Sequence, residues 1–256
     1  AAWLFTNTEK TTLGCNRLWA YDYALSLEAD TRGEALTYGI AWHSVCEAIL
    51  KQIQSIDTVM ENRLAVELAE NVATTSLYND RSSMPTYLGE DMVHEWIQDN
   101  VHRIVKGIEG WIEHWRENVH PHYEIIAVEQ VLCAPVVDPR TQGTYSPSIY
   151  VKRTEQGLAP IYPNELPKLS EDEKTVVNFP YWRVGKADVI LQKRDTKALY
   201  ILDHKTSASP ASYAKRFSFD LQLGGYCALL EYEINHGSLQ QYKGHKISGV
   251  IWDVCH

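Results

Sequence analysis

Several things are missing from this sequence, and each absence narrows what the chain can be. No stretch approaches the roughly 20 consecutive apolar residues of a membrane-spanning helix, which argues against a membrane partner. The first residues lack a basic region followed by an apolar one, so no secretory signal is read there and a cytoplasmic location is expected. Cysteine is sparse: Cys15, Cys46, Cys133, Cys227 and Cys255 are scattered, odd in number and never arranged as Cys-x-x-Cys. That excludes a disulfide framework and a zinc ribbon, and predicts reduced, mostly buried thiols. No internal repeats, heptads or low-complexity tracts occur, so nothing specifies a solenoid, a coiled coil or a particular oligomeric state. Positive charge is also in short supply, with 24 Lys and Arg against 33 Asp and Glu for a net charge of −9. A broad basic footprint for phosphates is therefore lacking. Carboxylates gathered around a divalent cation would nevertheless reverse their local sign once it is bound.

What is present suits one large domain: 256 residues, 45% of them apolar, enough to bury a sizeable core. The first part, 1–118, reads as mainly helical. Residues 11–27 place aromatic and aliphatic side chains at helical spacing. There, Arg17, Trp19 and Tyr21 suit either core packing or contacts to a nucleic-acid strand. Residues 34–54 form a second predicted helix with Leu36, Ile40, Leu50 and Ile53 as its buried stripe. His43 falls beside that stripe, one turn after Gly39 and one turn before Glu47. A Gly inside a helix costs about 1 kcal/mol relative to Ala and usually clears space for a neighbour. Residues 61–77 are predicted helical. From about Glu90 to Asn118 runs the strongest helical pattern, with Val93, Ile97, Val101, Ile104, Ile108, Trp111 and Trp115 in steps of four and three. His94, His102 and His114 on that helix are assigned to solvent, and His120-Pro121-His122 to a helix end.

The second part, 119–256, reads as a sheet core. Tyr123 to Cys133 is a predicted strand carrying Glu129. From 134 to 180 the Pro, Gly, Ser, Thr and Asn content rises, which predicts an irregular insertion. Then Tyr181 to Gln192 and Ala198 to Ser207 are two β-prone runs joined by five polar residues, a hairpin signal. Side chains alternate along a strand, so Asp203 and Lys205 share one face while His204 points away and offers its carbonyl beside them. Asp188 lies near the facing end of the first run. Two carboxylates held close repel unless a cation sits between them, and oxygen-rich sites suit Mg²⁺ or Mn²⁺. Residues 218–231 read as a helix with Gln222 and Tyr226 one turn apart. Lys246 to Val254 is an apolar strand running almost to His256, a place where further chain would be expected.

The order Gly39-x-x-x-His43, Glu129, Gly185-x-x-Asp188, Asp203-x-Lys205 and Gln222-x-x-x-Tyr226 resembles the PD-(D/E)XK nuclease superfamily, in its RecB-like branch of recombination, CRISPR-adaptation and phage exonucleases. The resemblance covers nearly the whole chain, from Cys15-Asn16-Arg17 to the helix with Gln222. It implies an α/β fold, a restriction-endonuclease-like mixed central sheet flanked by helices with a helical N-terminal part. By the same resemblance His43, Asp188, Asp203 and the His204 carbonyl would be metal ligands. Lys205 would orient the attacking water or stabilise charge at phosphorus, and Gln222 and Tyr226 would brace the lysine and meet the substrate strand. Glu129 matches the family pattern less specifically, as an outer partner, and Glu47, one turn from His43, is added as an outer partner of that histidine independently of the resemblance.

Branch members with an iron–sulfur cluster place one cysteine near the N-terminus and three near the C-terminal end. Cys15 matches the first and only Cys255 lies near the end, so no cluster is expected. The expected function is a Mg²⁺- or Mn²⁺-dependent DNA nuclease, an exonuclease of DNA processing, recombination or repair. Two other readings stay open: a catalytically silent module that binds DNA or protein, and a phosphodiesterase acting on small molecules.

Overall fold

A computed structural model describes residues 3–5, 34–80, 89–138, 140–146, 148–154, 157–160, 170, 175–178, 180–207 and 221–255. The helix predicted over 11–27 lies outside them. Three helices lead: α1 (Glu34–Ile56), α2 (Asn62–Asn79) and α3 (Glu90–His114). A π-helical turn, Trp115–Val119, continues α3 to the end its apolar pattern predicts. Ile97, Val101, Ile104, Ile108, Trp111 and Ile112 of α3 are buried along one face, as the steps of three and four require.

The buried face of α1 differs from the predicted one in its first half. Leu36 is 57% exposed and Ile40 36%, while Ala41, Trp42, Val45 and Cys46 are buried ahead of Leu50 and Ile53. Small side chains decide this. Ala65, Ala69 and Ala73 of α2 recur every fourth residue, and with Ala41 and Cys46 they sit in the same core, where small residues let helix axes approach closely.

The main sheet has five strands, ordered β1-β6-β7-β8 with β2 also paired to β6. Its members are β1 (Trp3–Phe5), β2 (Tyr123–Pro135), β6 (Tyr181–Lys193), β7 (Leu199–Thr206) and β8 (Ile247–Cys255). The predicted hairpin is present, β6 and β7 being antiparallel from Val189↔Leu202 to Gln192↔Leu199. β2 is antiparallel to β6, whereas β8 runs parallel to β7, so the sheet is mixed as expected. Helices α1, α2 and α3 cover the face bearing Val189, Leu191 and Leu202. The other face, with Ala187, Ile190 and Ile201, is covered by α4 (Leu221–His236) through Tyr226, Leu229 and Leu230. Burial on both sides explains why β6 and β7 read as continuous apolar runs and not as alternating ones.

The stretch 134–180 is more ordered than its composition suggests. It contains β3 (Ser148–Thr154), β4 (Gly157–Pro160) and β5 (Thr175–Asn178), paired as a separate antiparallel sheet ordered β4-β3-β5. Pro160, read as a breaker, is the last residue of β4, which among the described strands pairs with β3 alone, the edge position where proline is tolerated. Among the described residues no helix is long and apolar enough to cross a membrane.

The helix-covered core predicts a clear stability contrast. Ile104→Ala, at a fully buried position, is expected to cost roughly 2–5 kcal/mol in urea unfolding. Met92→Ala, on the same helix but 58% exposed, is expected to stay within about 0.5 kcal/mol.

Candidate active site

The hairpin ladder stops at Val189↔Leu202, and the next residues on the two strands are Asp188 and Asp203. There the carboxylate of Asp188 replaces a main-chain acceptor: the His204 N–H donates to its Oδ2 at 2.8 Å. α1 comes in close at the same point. A Cβ on Gly39 would lie 3.2 Å from Thr206 Oγ1, so the glycine clears space for the end of β7. One turn later His43 Nδ1 reaches within 3.5 Å of Asp188 Oδ2.

Glu129 arrives from the other neighbour of β6. It lies between the pairs Val128↔Val189 and Gln130↔Ala187, opposite Asp188, and its φ is 56°. A non-glycine residue in that region costs of order 1–3 kcal/mol and persists where surrounding contacts hold it, often at functional sites. Lys186 pairs with its carboxylate. His43, Glu129 and Asp188 each present one ligand atom, and the three atoms lie within 4.8 Å of one another. Glu129, expected only as an outer partner, thus joins His43 and Asp188 in a cluster of ligand atoms among the described residues.

Asp203 and Lys205 share a face of β7 toward α4, as strand alternation predicts. Asp203 is 1% exposed, and its Oδ2 lies 2.6 Å from Lys205 Nζ. Asp203 stands outside the three-atom cluster and is engaged by the lysine. Burial pushes its carboxyl up to about 6, Lys205 opposes that rise, and the nearby Asp188 adds to it. Burial works against the Lys205 ammonium, but the Asp203 carboxylate outweighs it and raises the lysine above its usual value. Glu129 is likewise raised by burial, against Lys186 and with Asp188. Burial lowers His43, with the Asp188 carboxylate opposing. A lowered imidazole is neutral near pH 7, the form a metal ligand needs.

On α4, Gln222 Nε2 donates to Tyr226 Oη at 2.9 Å. The Tyr226 ring packs directly on Gly185, where a Cβ would lie 2.7 Å from its Cε1. Glu47 does not partner His43: its carboxylate pairs with Lys51 at 2.5 Å, an i, i+4 contact along the helix surface. It acts on Glu129 and Lys186 through charge alone. Arg17, Trp19 and Tyr21 lie outside the described residues. His94, His102 and His114 are exposed. Sequence reasoning missed Asp253 and Trp111, which meet beneath His204. An Asp within the apolar run Val250–Val254 was the available signal.

The family model of the PD-(D/E)XK nuclease superfamily matches residues 8–255. The chain belongs to the PD-(D/E)XK nuclease superfamily. No curated protein matches it. Superfamily membership supports a metal-dependent hydrolase of phosphodiester bonds with a nucleic-acid substrate. The mixed sheet between helices agrees with the restriction-endonuclease-like fold of this superfamily. Divalent metals are the cofactors superfamily members use, and this nuclease-fold site fits one. Its clustered atoms are one imidazole nitrogen and two hard carboxylate oxygens, and burial raises the carboxyls of Glu129 and of the nearby Asp203, with the Asp188 charge adding to both.

Asp203 carries a pH signature in the metal-free protein. Its folded value of about 6 lies above the unfolded 3.8, so the folded state holds the proton more tightly. Stability from this group is therefore present below pH 3.8 and is lost as pH rises toward about 6. Asp203→Asn is expected to remove that falling slope from urea-unfolding stability measured across the window. An unchanged slope would contradict the assignment.

Proposed function

We propose that this chain is a Mg²⁺- or Mn²⁺-dependent deoxyribonuclease, working as an exonuclease in DNA processing, recombination or repair. The observation that carries the reading is the meeting of His43, Glu129 and Asp188 ligand atoms within 4.8 Å, at the strand ends where Asp203 and Lys205 also lie. The choice of exonuclease rests on the likeness of Gly39-x-x-x-His43 and Gln222-x-x-x-Tyr226 to the RecB-like branch.

His43, Glu129 and Asp188 would hold the ion, with Asp203 and the His204 carbonyl as further ligands. Such an ion supplies an acidified water and neutralises charge on the scissile phosphate. Lys205 supplies a fixed positive charge where negative charge accumulates at phosphorus, and its raised pKa keeps it protonated at working pH. Tyr226, held by Gln222, forms the wall beside Lys205. Next to Thr206, a hollow of about 360 Å³ is lined by Tyr38, Trp96 and Arg103. The Arg103 guanidinium sits 5.0 Å from the Tyr38 ring centre. Aromatic faces beside a guanidinium suit the bases and phosphates of a nucleic-acid strand.

Incubation with single- and double-stranded DNA and Mn²⁺ tests the reading. The unmodified protein is expected to shorten strands from their ends. Lys205→Ala is expected to lower the rate by about 10²–10³-fold, the scale of losing one preorganised charge-stabilising group, and Asp203→Ala by at least as much. DNA binding without cutting, or turnover of a small phosphodiester alone, would overturn it.

A further inference from the structure

His204 is more than the residue between Asp203 and Lys205. Its main-chain N–H holds the Asp188 carboxylate at 2.8 Å, and its ring lies beside that of His43. The direction of that N–H depends on how the His204 peptide is turned, and the side chain of the same residue is fixed from two further elements. Its ring is 3% exposed and lies edge-on to two others, with centroids 5.9 Å from His43 and 5.9 Å from Trp111.

The anchor comes from two other elements. β8 places Asp253 directly across from His204 in the parallel register, on the same face of the sheet. The Trp111 indole descends onto that face from α3. One oxygen, Asp253 Oδ2, accepts from Trp111 Nε1–H at 2.6 Å and lies 2.9 Å from His204 Nδ1. A carboxylate only accepts, so Nδ1 is the protonated nitrogen and the tautomer is fixed. Among the described residues His204 Nε2, buried, has no hydrogen-bond partner, so the hydrogen bond that holds the ring there runs through Nδ1.

Asp253, only 20% exposed, is a costly way to fill space, since replacing a largely buried charge by an apolar residue of like shape is often neutral or stabilising. What Asp253 adds is direction. We propose that Asp253 and Trp111 are positioning residues of the metal site: they lock the His204 ring, and through it the peptide that orients Asp188 and flanks His43. This inference rests on the nuclease reading above. Outer partners that fix the orientation of ligands typically change metal affinity or activity 10–100-fold when removed.

Mn²⁺ binding to the full chain, followed by the electron paramagnetic resonance of free Mn²⁺, tests it without reference to catalysis. Asp253→Ala is expected to raise the Mn²⁺ Kd by about 10–100-fold. Trp111→Phe, which keeps an aromatic ring while removing the N–H donor together with the five-membered ring that carries it, is expected to raise it by a smaller factor. Leu77→Ala, a buried position in the same core, serves as the control: it lowers the melting temperature and leaves the Kd unchanged. If Asp253→Ala does not fold, Trp111→Phe decides by the same criterion. Unchanged Kd in the folded variants, with the unmodified protein binding Mn²⁺, overturns this inference and leaves the nuclease reading intact. A rise in Kd that tracks melting temperature, Leu77→Ala included, overturns it in favour of plain stability. No Mn²⁺ binding by the unmodified protein overturns the metal site and this inference together.

Discussion

Negative charge is crowded where β6 and β7 separate, and the architecture of the site follows from keeping it there. Glu129, Asp188 and Asp203 converge from three chain segments into a place where burial already penalises the charges of Glu129 and Asp203. Lys186 and Lys205 offset part of it, each paired with one carboxylate. Among the described residues Asp188 has no lysine of its own. It is met by a main-chain N–H and by an imidazole lowered toward its neutral form. An assembly with this residual charge is poised for a cation, because a positive ion lowers the energy of all three carboxylates at once.

Rigidity around that point comes from packing on both faces of the sheet. The helix-covered side supplies Trp42, Trp111 and Trp115 behind His43 and His204, and the α4 side supplies Tyr226, Leu229 and Leu230 behind Lys205. Two glycines set the spacing: Gly39 admits the end of β7 against α1, and Gly185 admits the Tyr226 ring against β6. Their placement ties the two helix motifs to the two strand motifs, so the separate sequence signatures describe one convergence.

Much of this was legible in the chain. The hairpin of β6 and β7, the apolar face of α3 and the alternation placing Asp203 with Lys205 are local, and local periodicity reports them. The early face of α1 was misread, because Leu36 and Ile40 outweigh Ala41 in hydrophobicity while close helix packing favours the alanine. The small sheet in 134–180 was hidden by a high content of proline and glycine, of which Gly157 opens and Pro160 closes β4. Glu129 was underrated because nothing local marks a strand residue whose φ of 56° redirects its side chain. Glu47 was overrated, since helical spacing brings it near His43 in sequence while Lys51, one turn on, takes its carboxylate.

By itself the sequence determined the identity and order of the chemical groups and the elements that carry them: an imidazole on a helix, carboxylates and an ammonium on adjoining strands, an amide and a phenol one turn apart. Each of those facts spans only a few residues. Tertiary structure alone decided which groups meet. The pairing of β8 beside β7 put Asp253 against His204, and the approach of α3 put Trp111 on the same oxygen, contacts that join residues 49 and 142 positions apart. Separation of that kind leaves no periodic trace, because it is set by strand order and helix packing across the whole core.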